Sequence, residues 1–317
     1  MAAGGSNKAV VAALLANGGI AIAKFAGWVV TGGTSSSMLA ESIHSVADTG
    51  NQALLLFGGK AAKKDADAEH QFGYGGERYF WSFVVALVLF ALGSAYAVYE
   101  GIHKIQHPEE VNNFGLLLGI LAFGIVLEGS SFRTAINIAK PLKGDESWWS
   151  FVRKCRVPEL AVVLLEDLGA QLGLIIAFFA VLGSRFVDPI FDGIGTLSIG
   201  ILLGLIAIIL IIEMRSMLIG EGATPEEMKT IRTTIASVPN VKSLIHVRTN
   251  YHGPDALLVG AKVEFADHLS VAELAATIND VEDALRSELS HADPIYIEPD
   301  IQRFASTLKD HVKPNPT

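Results

Sequence analysis

The chain has 317 residues, of which 50% are hydrophobic and 18% charged, and its mean hydropathy is +0.41. It is too apolar for a wholly soluble protein and too charged for one built only of membrane spans, so we expect a membrane portion with a soluble appendage. The net charge is −9, and residues 221–317 carry nine Lys/Arg against 15 Asp/Glu. This acidic appendage argues against a nucleic-acid partner, and the single cysteine excludes an intrachain disulfide or a cysteine-based metal cluster.

Six apolar stretches are long enough to cross a bilayer as helices, which takes about 20 residues. They cover 9–31, 38–59, 79–100, 114–136, 159–182 and 190–218. Basic residues concentrate at the N-terminus and in the second and fourth connectors, so the positive-inside rule predicts that both termini are cytoplasmic. We therefore expect a multi-pass protein of the cell's inner (plasma) membrane whose first span is retained, since no clear cleavage site follows the N-terminus.

The second span carries a polar face in its first half. Spacings of three and four residues place these side chains on or beside one side of a helix: Glu41, His44, Ser45, Asp48, Asn51 and Gln52. Charged groups at the bilayer centre cost about 2.5–3.5 kcal/mol on insertion scales, so they rarely face lipid. His44 and Asp48 lie one turn apart and offer an imidazole nitrogen and a carboxylate oxygen to a divalent metal. The alternative is a polar seam that only joins helices.

The fifth span contains the adjacent carboxylates Glu166 and Asp167, with Gln171 one turn beyond Asp167. Two carboxylates inside an apolar run favour a bound cation, although a wet helix end bonded to Arg156 or to water is the alternative. The predicted transport site is His44, Asp48 and Asp167, with Glu166 or a water as fourth ligand. A tetrahedral N/O set suits Zn²⁺, and added oxygens suit Mn²⁺ or Fe²⁺. Because metal binding needs neutral imidazole and ionised carboxylates, it competes with protons, which is the minimum chemistry of a metal/proton antiporter.

Two more ionisable residues lie in the predicted spans. Lys24, in the first span, is either a snorkelling side chain or a buried partner for a carboxylate. Glu128, in the fourth span, is expected to be a bonded carboxylate inside the helix bundle, with a proton-carrying role as the alternative.

From residue 220 the pattern becomes that of a small soluble domain. Capping boxes that begin at Thr224 and Ser270 predict two helices, over 225–236 and up to about residue 289. The predicted strands are 241–250, 257–265 and 294–297. The order α-β-β-α-β indicates a ferredoxin-like half-sandwich, with its helices on one face of a small antiparallel sheet.

The uncovered face of such a sheet favours a partner, most simply a second copy of the chain. The segment 303–317 is expected to be a mobile tail. The predicted domains are therefore a six-span membrane domain over 1–219, a soluble domain over 220–302, and this tail.

The segment SSSMLAESIHSVADTGNQ resembles the second-span signature of the cation diffusion facilitator family, and the resemblance covers almost the whole chain. It implies a membrane all-α six-helix bundle with a C-terminal cytoplasmic α+β ferredoxin-like domain. It also implies a homodimeric, proton-coupled exporter of Zn²⁺ and related cations, with His44 and Asp48 as transport-site ligands. The segments ERYFWSF and VVLLEDLGAQLG look most like the branch of the animal mitochondrial zinc transporter.

The chain departs from the family pattern at three places. Val163 stands where the family has a His one turn before the fifth-span Asp, and Glu166 is the candidate replacement. Asp67 and His70 resemble a loop that binds a second zinc in some members, but Tyr74 replaces a usual His, so a solvated polar loop is the preferred interpretation.

In the soluble domain, Glu298 and Asp300 occupy the place where some members keep a metal-binding His and Asp. A surface without a metal is the preferred interpretation there as well.

The leading prediction is an exporter of Zn²⁺, with Mn²⁺, Fe²⁺ or Cd²⁺ as possible substrates, that exchanges metal for protons and works in the lipid bilayer. One alternative is a non-transporting metal sensor or scaffold whose soluble domain binds metal and docks partners. A carrier of an organic solute is disfavoured because no Arg clamp or aromatic cradle is present. An enzyme is not expected, since no nucleophile–base pair or phosphate-binding loop stands out.

Overall fold

The computed structural model describes residues 18–30, 32–33, 36–111 and 113–302. This part of the chain divides into two compact units, with the boundary between Gly220 and Glu221. The beginning of the predicted first span and the predicted mobile tail, 303–317, lie outside the described residues.

The described part of the N-terminal unit consists of helices and the loops that connect them. They are α1 (Gly18–Val30), α2 (Ser36–Ala61), α3 (Glu77–Gln106), α4 (Phe114–Lys143), α5 (Trp148–Lys154), α6 (Pro158–Phe186) and α7 (Ile190–Ile219). Four of them, α3, α4, α6 and α7, are long and apolar enough to cross a membrane. Helix α2 has 26 residues but carries the polar face, and α1 is shorter over its described residues, so a count of six spans stays a prediction.

Helix α3 contains a feature that the hydropathy pattern does not reveal, a π-helical segment over Leu89–Ala95. Around this segment α3 packs closely on α7 through glycines. A Cβ on Gly101 would lie 2.5 Å from the backbone nitrogen of Leu197, and one on Gly200 would lie 2.6 Å from that of Val98. Small residues let membrane helices approach this closely, and larger side chains would force α3 and α7 apart.

The helices of this unit bury a large apolar core, beside two smaller apolar clusters among the described residues. Its fully buried members include Val85, Leu89, Leu117, Leu121, Leu174, Leu203 and Leu210. The core draws residues from α2, α3, α4, α6 and α7, so the polar face of α2 lies inside a bundle and not on its surface.

The C-terminal unit has the predicted order α-β-β-α-β. Its elements are α8 (Pro225–Ser237), β1 (Val241–Gly253), β2 (Ala256–Phe265), α9 (Val271–Glu288) and β3 (Ala292–Pro299). Both capping boxes are confirmed, because Thr224 and Ser270 accept hydrogen bonds from the backbone three residues later and Glu227 and Glu273 bond back.

The sheet has the order β1-β2-β3, and the prediction that it is wholly antiparallel is wrong. Strand β3 pairs with β2 in parallel, with Val259 opposite Ile295 and Ala261 opposite Ile297. The physical reason is the crossover: α9 carries the chain back along the sheet before β3 begins, and such a connection joins parallel strands. Alternation along a strand contains no information about the direction of its neighbour.

Helices and strands share one core in this unit. The alternation predicted for β2 is confirmed, since its buried residues are Leu257, Val259, Ala261, Val263 and Phe265. Ile231 and Ile235 from α8 and Val281 and Leu285 from α9 are fully buried in the same cluster.

Glu227, at the start of α8, contacts Tyr251 in β1 and His291 just before β3. Its Oε1 accepts a hydrogen bond of 2.6 Å from the Tyr251 hydroxyl and lies 2.9 Å from His291 Nε2. Partial burial raises the pKa of Glu227, but the hydrogen bonds from Tyr251 and Thr224, helped by the His291 charge, outweigh it and leave that pKa below its usual value.

We expect Glu227→Gln to lower the free energy of unfolding of the C-terminal unit by about 1 kcal/mol at pH 7, because a neutral amide makes weaker hydrogen bonds than the carboxylate that Tyr251 and His291 contact. The native pKa lies below the unfolded value of about 4.3, so this contribution is complete above about pH 5 and is lost as the pH falls through the native pKa. Urea-dependent hydrogen exchange of β1 and β2 peptides in the full chain measures it.

Glu226→Gln is the matched control, because Glu226 is exposed and changes the charge by the same amount one residue earlier. Equal losses in the two variants, or a difference that does not decrease as the pH falls below the unfolded pKa of about 4.3, would contradict the assignment.

Candidate functional site

Helix α2 buries most of the polar face predicted from its sequence; Gln52 is partly buried, and the Glu41 side chain is outside the part that the structure describes. Ser42, His44 and Asn51 are fully buried, and Ser45 and Asp48 are nearly so. His44 Nε2 lies 3.5 Å from Asp48 Oδ2, one helical turn along. The cost of leaving these groups against hydrocarbon explains why the helix turns them inward.

Helix α6 buries Glu166 and Asp167 at 5% and 8% exposure, so the interpretation of a wet helix end is wrong. Asn51 of α2 donates a hydrogen bond of 2.7 Å from Nδ2 to Glu166 Oε1. Ser131 of α4 donates one of 3.2 Å from its hydroxyl to Asp167 Oδ2. The two neighbouring carboxylates are therefore oriented by two different helices.

Several buried polar atoms of α2 and α6 have no hydrogen-bond partner among the described residues. They are both ring nitrogens of His44, Asp48 Oδ1, Asn51 Oδ1, Gln52 Oε1, Gln171 Oε1 and Ser184 Oγ. A buried polar group without a partner costs about 1–3 kcal/mol. Most of these atoms are acceptors, so a bound cation or ordered water is the chemistry that would satisfy them.

The predicted ligands from α2 and α6 lie in the interior of the same bundle. The Asp48 carboxylate interacts electrostatically with those of Glu166 and Asp167. Over the ranges that the structure describes, no three His, Cys, Asp or Glu side chains already surround one point as metal ligands. The set of His44, Asp48, Glu166 and Asp167 therefore stays a prediction.

Gln171, the weaker candidate of the fifth span, lies against α4. Its Oε1 is 3.3 Å from the position that a Cβ on Gly129 would occupy. This places the amide on the α4 side of α6, beside the helix that supplies Ser131 to Asp167.

Lys24 is buried and not a snorkelling side chain, which decides between the two interpretations of the sequence. Its exposure is 2%, its ammonium donates a hydrogen bond of 2.6 Å to Ser45 Oγ, and it lies 3.7 Å from Glu128 Oε1. Glu128 is accordingly the bonded carboxylate that was expected for the fourth span.

The partners that orient the carboxylates were missed from the sequence. Asn51 was placed on the polar face of α2, but nothing in its spacing identifies Glu166 as its partner. The sequence analysis does not predict a role for Ser131. The one feature that could have indicated it is its position three residues after Glu128, on the same side of α4.

The connector between α2 and α3 has the structure of a solvated polar loop. Asp67 Oδ1 accepts hydrogen bonds from the backbone of Glu69 and His70, and Oδ2 accepts bonds from the Tyr74 hydroxyl at 2.6 Å and the Lys64 ammonium at 2.9 Å. The His70 ring stacks near Tyr74, with Nδ1 3.7 Å from Asp67 Oδ1. Both oxygens of Asp67 are thus already occupied by protein donors.

Glu298 and Asp300 share one partner in the C-terminal unit. The Lys262 ammonium lies 2.7 Å from Glu298 Oε1 and 3.1 Å from Asp300 Oδ2. Hydrogen bonds to Glu298 and then to Asp300 raise the pKa of Lys262. A regulatory metal ion at this pair would have to displace the ammonium.

Comparison with protein families adds a second kind of observation. Residues 10–219 match the family model for the cation efflux transmembrane domain. Residues 223–300 match the model for the cytoplasmic domain of cation efflux proteins, ZT_dimer.

Similar proteins include the mitochondrial proton-coupled zinc antiporter SLC30A9 of Mus musculus, 33% identical over 265 residues, which are 82% of this chain and 46% of that protein. Metal tolerance protein C4 of Arabidopsis thaliana is 32% identical over 269 residues, or 84% and 58% of the two chains. The metal cation efflux system protein CzcD of Cupriavidus metallidurans is 25% identical over 81% of this chain and 76% of its own. The chain spans about half the length of the first two relatives.

The prediction of the cell's inner (plasma) membrane is wrong by this comparison. The SLC30A9 relatives from mouse, human, orangutan and frog are all mitochondrial proteins by name. Basic residues distinguish the two sides of a bilayer, but they contain no information about which cellular membrane it is. A multi-pass membrane protein is consistent with both the helices and the family match.

The loop geometry makes a specific prediction for Asp67. The hydrogen bond from Tyr74, followed by that from Lys64, holds the pKa of the Asp67 carboxyl well below its usual range. Tyr74→Phe removes the larger contribution, so this pKa should rise toward about 3.9. Titration of the Asp67 carboxyl carbon by NMR in selectively labelled full-length protein measures the change, and Tyr296→Phe, at an exposed tyrosine of β3, is the control. An Asp67 pKa equal in wild type and Tyr74→Phe would rule out this hydrogen bond.

Proposed function

The chain belongs to the cation efflux family, and on that premise we propose that it is a proton-coupled antiporter that carries a divalent metal cation, Zn²⁺ first, across a membrane. The family is one of transporters, so the proposed activity is transport and not catalysis. The observation that carries the proposal is the buried contact between α2 and α6, where Asn51 holds Glu166 beside the predicted ligands.

The proposed ligands are the His44 imidazole and the carboxylates of Asp48, Asp167 and Glu166. Three buried carboxylates repel one another and are poorly solvated by hydrocarbon, so a dication between them would be strongly favoured. One nitrogen with oxygens suits Zn²⁺ in tetrahedral geometry. The names of the relatives, a zinc antiporter and a metal cation efflux protein, support this class of substrate.

Proton coupling follows from the same ligands. A metal ion binds neutral imidazole and ionised carboxylates, so the site holds either the metal or protons. Alternate opening of the site to the two sides by rocking of helices would then exchange one for the other. The metal ion would leave the side of the membrane on which the C-terminal unit lies.

Metal preference is decided by the replacement in the fifth span. Val163 supplies no imidazole one turn before Asp167, and the Glu166 carboxylate takes the place of a second nitrogen. Oxygen-rich sites favour harder cations, so Mn²⁺ and Fe²⁺ are the competitors to include beside Cd²⁺. Uptake of the four metals into proteoliposomes across a pH gradient ranks them, and a chain that binds metal without any uptake would be a sensor instead.

The C-terminal unit is proposed to join two copies of the chain. The ZT_dimer match over residues 223–300 supports a homodimer through this unit. Both helices pack on the core side of the three-stranded sheet, which leaves its other face available for such a contact.

We expect Asp48→Asn to reduce Zn²⁺ uptake into proteoliposomes by at least about 100-fold, because even residues that only orient metal ligands commonly contribute 10–100-fold. Ser42→Ala is the control: Ser42 is buried on the same helix but its hydroxyl bonds the Met38 carbonyl at 2.7 Å. Zn²⁺ uptake by Asp48→Asn at the wild-type level would show that Asp48 of α2 is not a ligand of the transport site.

Asn51→Ala should weaken equilibrium Zn²⁺ binding by about tenfold, since Glu166 loses the amide that orients it. Thr49→Ala, which removes a 2.9 Å hydrogen bond to the Ser45 carbonyl within α2, should leave binding unchanged. Isothermal titration of the purified full-length chain with Zn²⁺ gives both values. Unchanged affinity in Asn51→Ala would mean that Glu166 is not a ligand.

A further inference from the structure

The least expected group in the N-terminal unit is the buried ammonium of Lys24. It bonds Ser45 Oγ at 2.6 Å and faces Glu128 Oε1 at 3.7 Å, with both side chains of the ion pair at most 7% exposed. A lysine in a membrane helix would normally extend its ammonium toward the membrane surface. Here the ammonium is retained in the bundle, where a charge persists only if it is compensated.

The packing of α1 on α4 holds this ion pair in place. A Cβ on Gly27 would lie 2.4 Å from Ile120 Cδ1, so a larger residue there would have to displace this methyl group. One turn before Glu128, a Cβ on Gly124 would lie 3.7 Å from Lys24 Cε, so the lysine stem passes directly over this glycine. The path of the side chain leads to Glu128 and not to the surface.

The ion pair touches both halves of the proposed transport site. Ser45, which accepts from Lys24, lies between His44 and Asp48 on α2. On α4, Ser131 lies three residues after Glu128 and bonds Asp167. The positive charge therefore bonds the residue next to His44, and the negative charge lies one turn from the residue that bonds Asp167.

We propose that Lys24 and Glu128 form a resident counter-charge pair, and that the balance of the two charges keeps the affinity of the transport site for its dication between the extremes that either charge alone would give; this rests on the proposed function. In a low-dielectric interior, the ammonium opposes a nearby metal ion and the carboxylate attracts it. As a pair they nearly cancel, so the site binds the metal tightly enough to load and weakly enough to release. When the metal is absent, the ammonium limits repulsion among the remaining carboxylates. Lys24 is a positioning residue and not a ligand.

A charge cycle tests the proposal on the purified full-length chain, with Zn²⁺ binding measured by titration calorimetry and uptake measured in proteoliposomes. Glu128→Gln removes the negative charge of the pair and should weaken Zn²⁺ binding by about tenfold. Lys24→Gln leaves the carboxylate unbalanced and should strengthen binding by about tenfold while lowering the maximal uptake rate, because release is slowed. The double variant removes both charges and should return to within about threefold of wild type.

Two controls separate charge from packing. Lys24→Arg keeps the charge and should bind Zn²⁺ like wild type. Lys104→Gln neutralises a lysine paired with Glu109 at 2.9 Å, at the end of α3, and should leave binding unchanged. Three results would overturn the counter-charge proposal. Both single variants could weaken Zn²⁺ binding, the double variant could bind Zn²⁺ no better than Glu128→Gln, or none of the variants could change the affinity. A wild-type chain that neither binds nor transports any of the four metals would overturn the proposed function itself.

Discussion

A carboxylate buried between membrane helices must find a hydrogen-bond donor or a cation, and the N-terminal unit is arranged around that requirement. Glu166 receives the Asn51 amide, Asp167 receives the Ser131 hydroxyl, and Glu128 receives the Lys24 ammonium. Each contact joins two different helices. The bonds that offset the desolvation of these carboxylates therefore also determine which helices are neighbours.

Some buried polar groups of this unit have no hydrogen-bond partner among the described residues, and these groups support the proposed function. Acceptor atoms of Asp48, Asn51 and Gln52 have no partner over the described part of the chain, and neither ring nitrogen of His44 is hydrogen-bonded there. At the other two candidate sites the carboxylates already have protein partners: both oxygens of Asp67 accept protein donors, and Glu298 and Asp300 share Lys262. These contacts support α2 and α6, and not the loop or the C-terminal unit, as the proposed place for a transported cation.

Much of this arrangement could be predicted from sequence, and the exceptions have physical causes. The polar face of α2, the buried face of β2 and both capping boxes follow from local periodicity, which the sequence contains directly. The partners of Asn51 and Lys24 lie on other helices, so helix packing decides them. The parallel pairing of β3 depends on where α9 delivers the chain, and the cellular membrane depends on nothing that a charge pattern encodes.

The most direct test of a cation site between α2 and α6 is an anomalous difference map at the zinc absorption edge from crystals of the zinc-loaded full-length chain. The account predicts a peak at membrane depth about 2.0–2.2 Å from a His44 nitrogen and from oxygens of Asp48 and Asp167. Zinc found only at the Asp67 loop or in the C-terminal unit would contradict it.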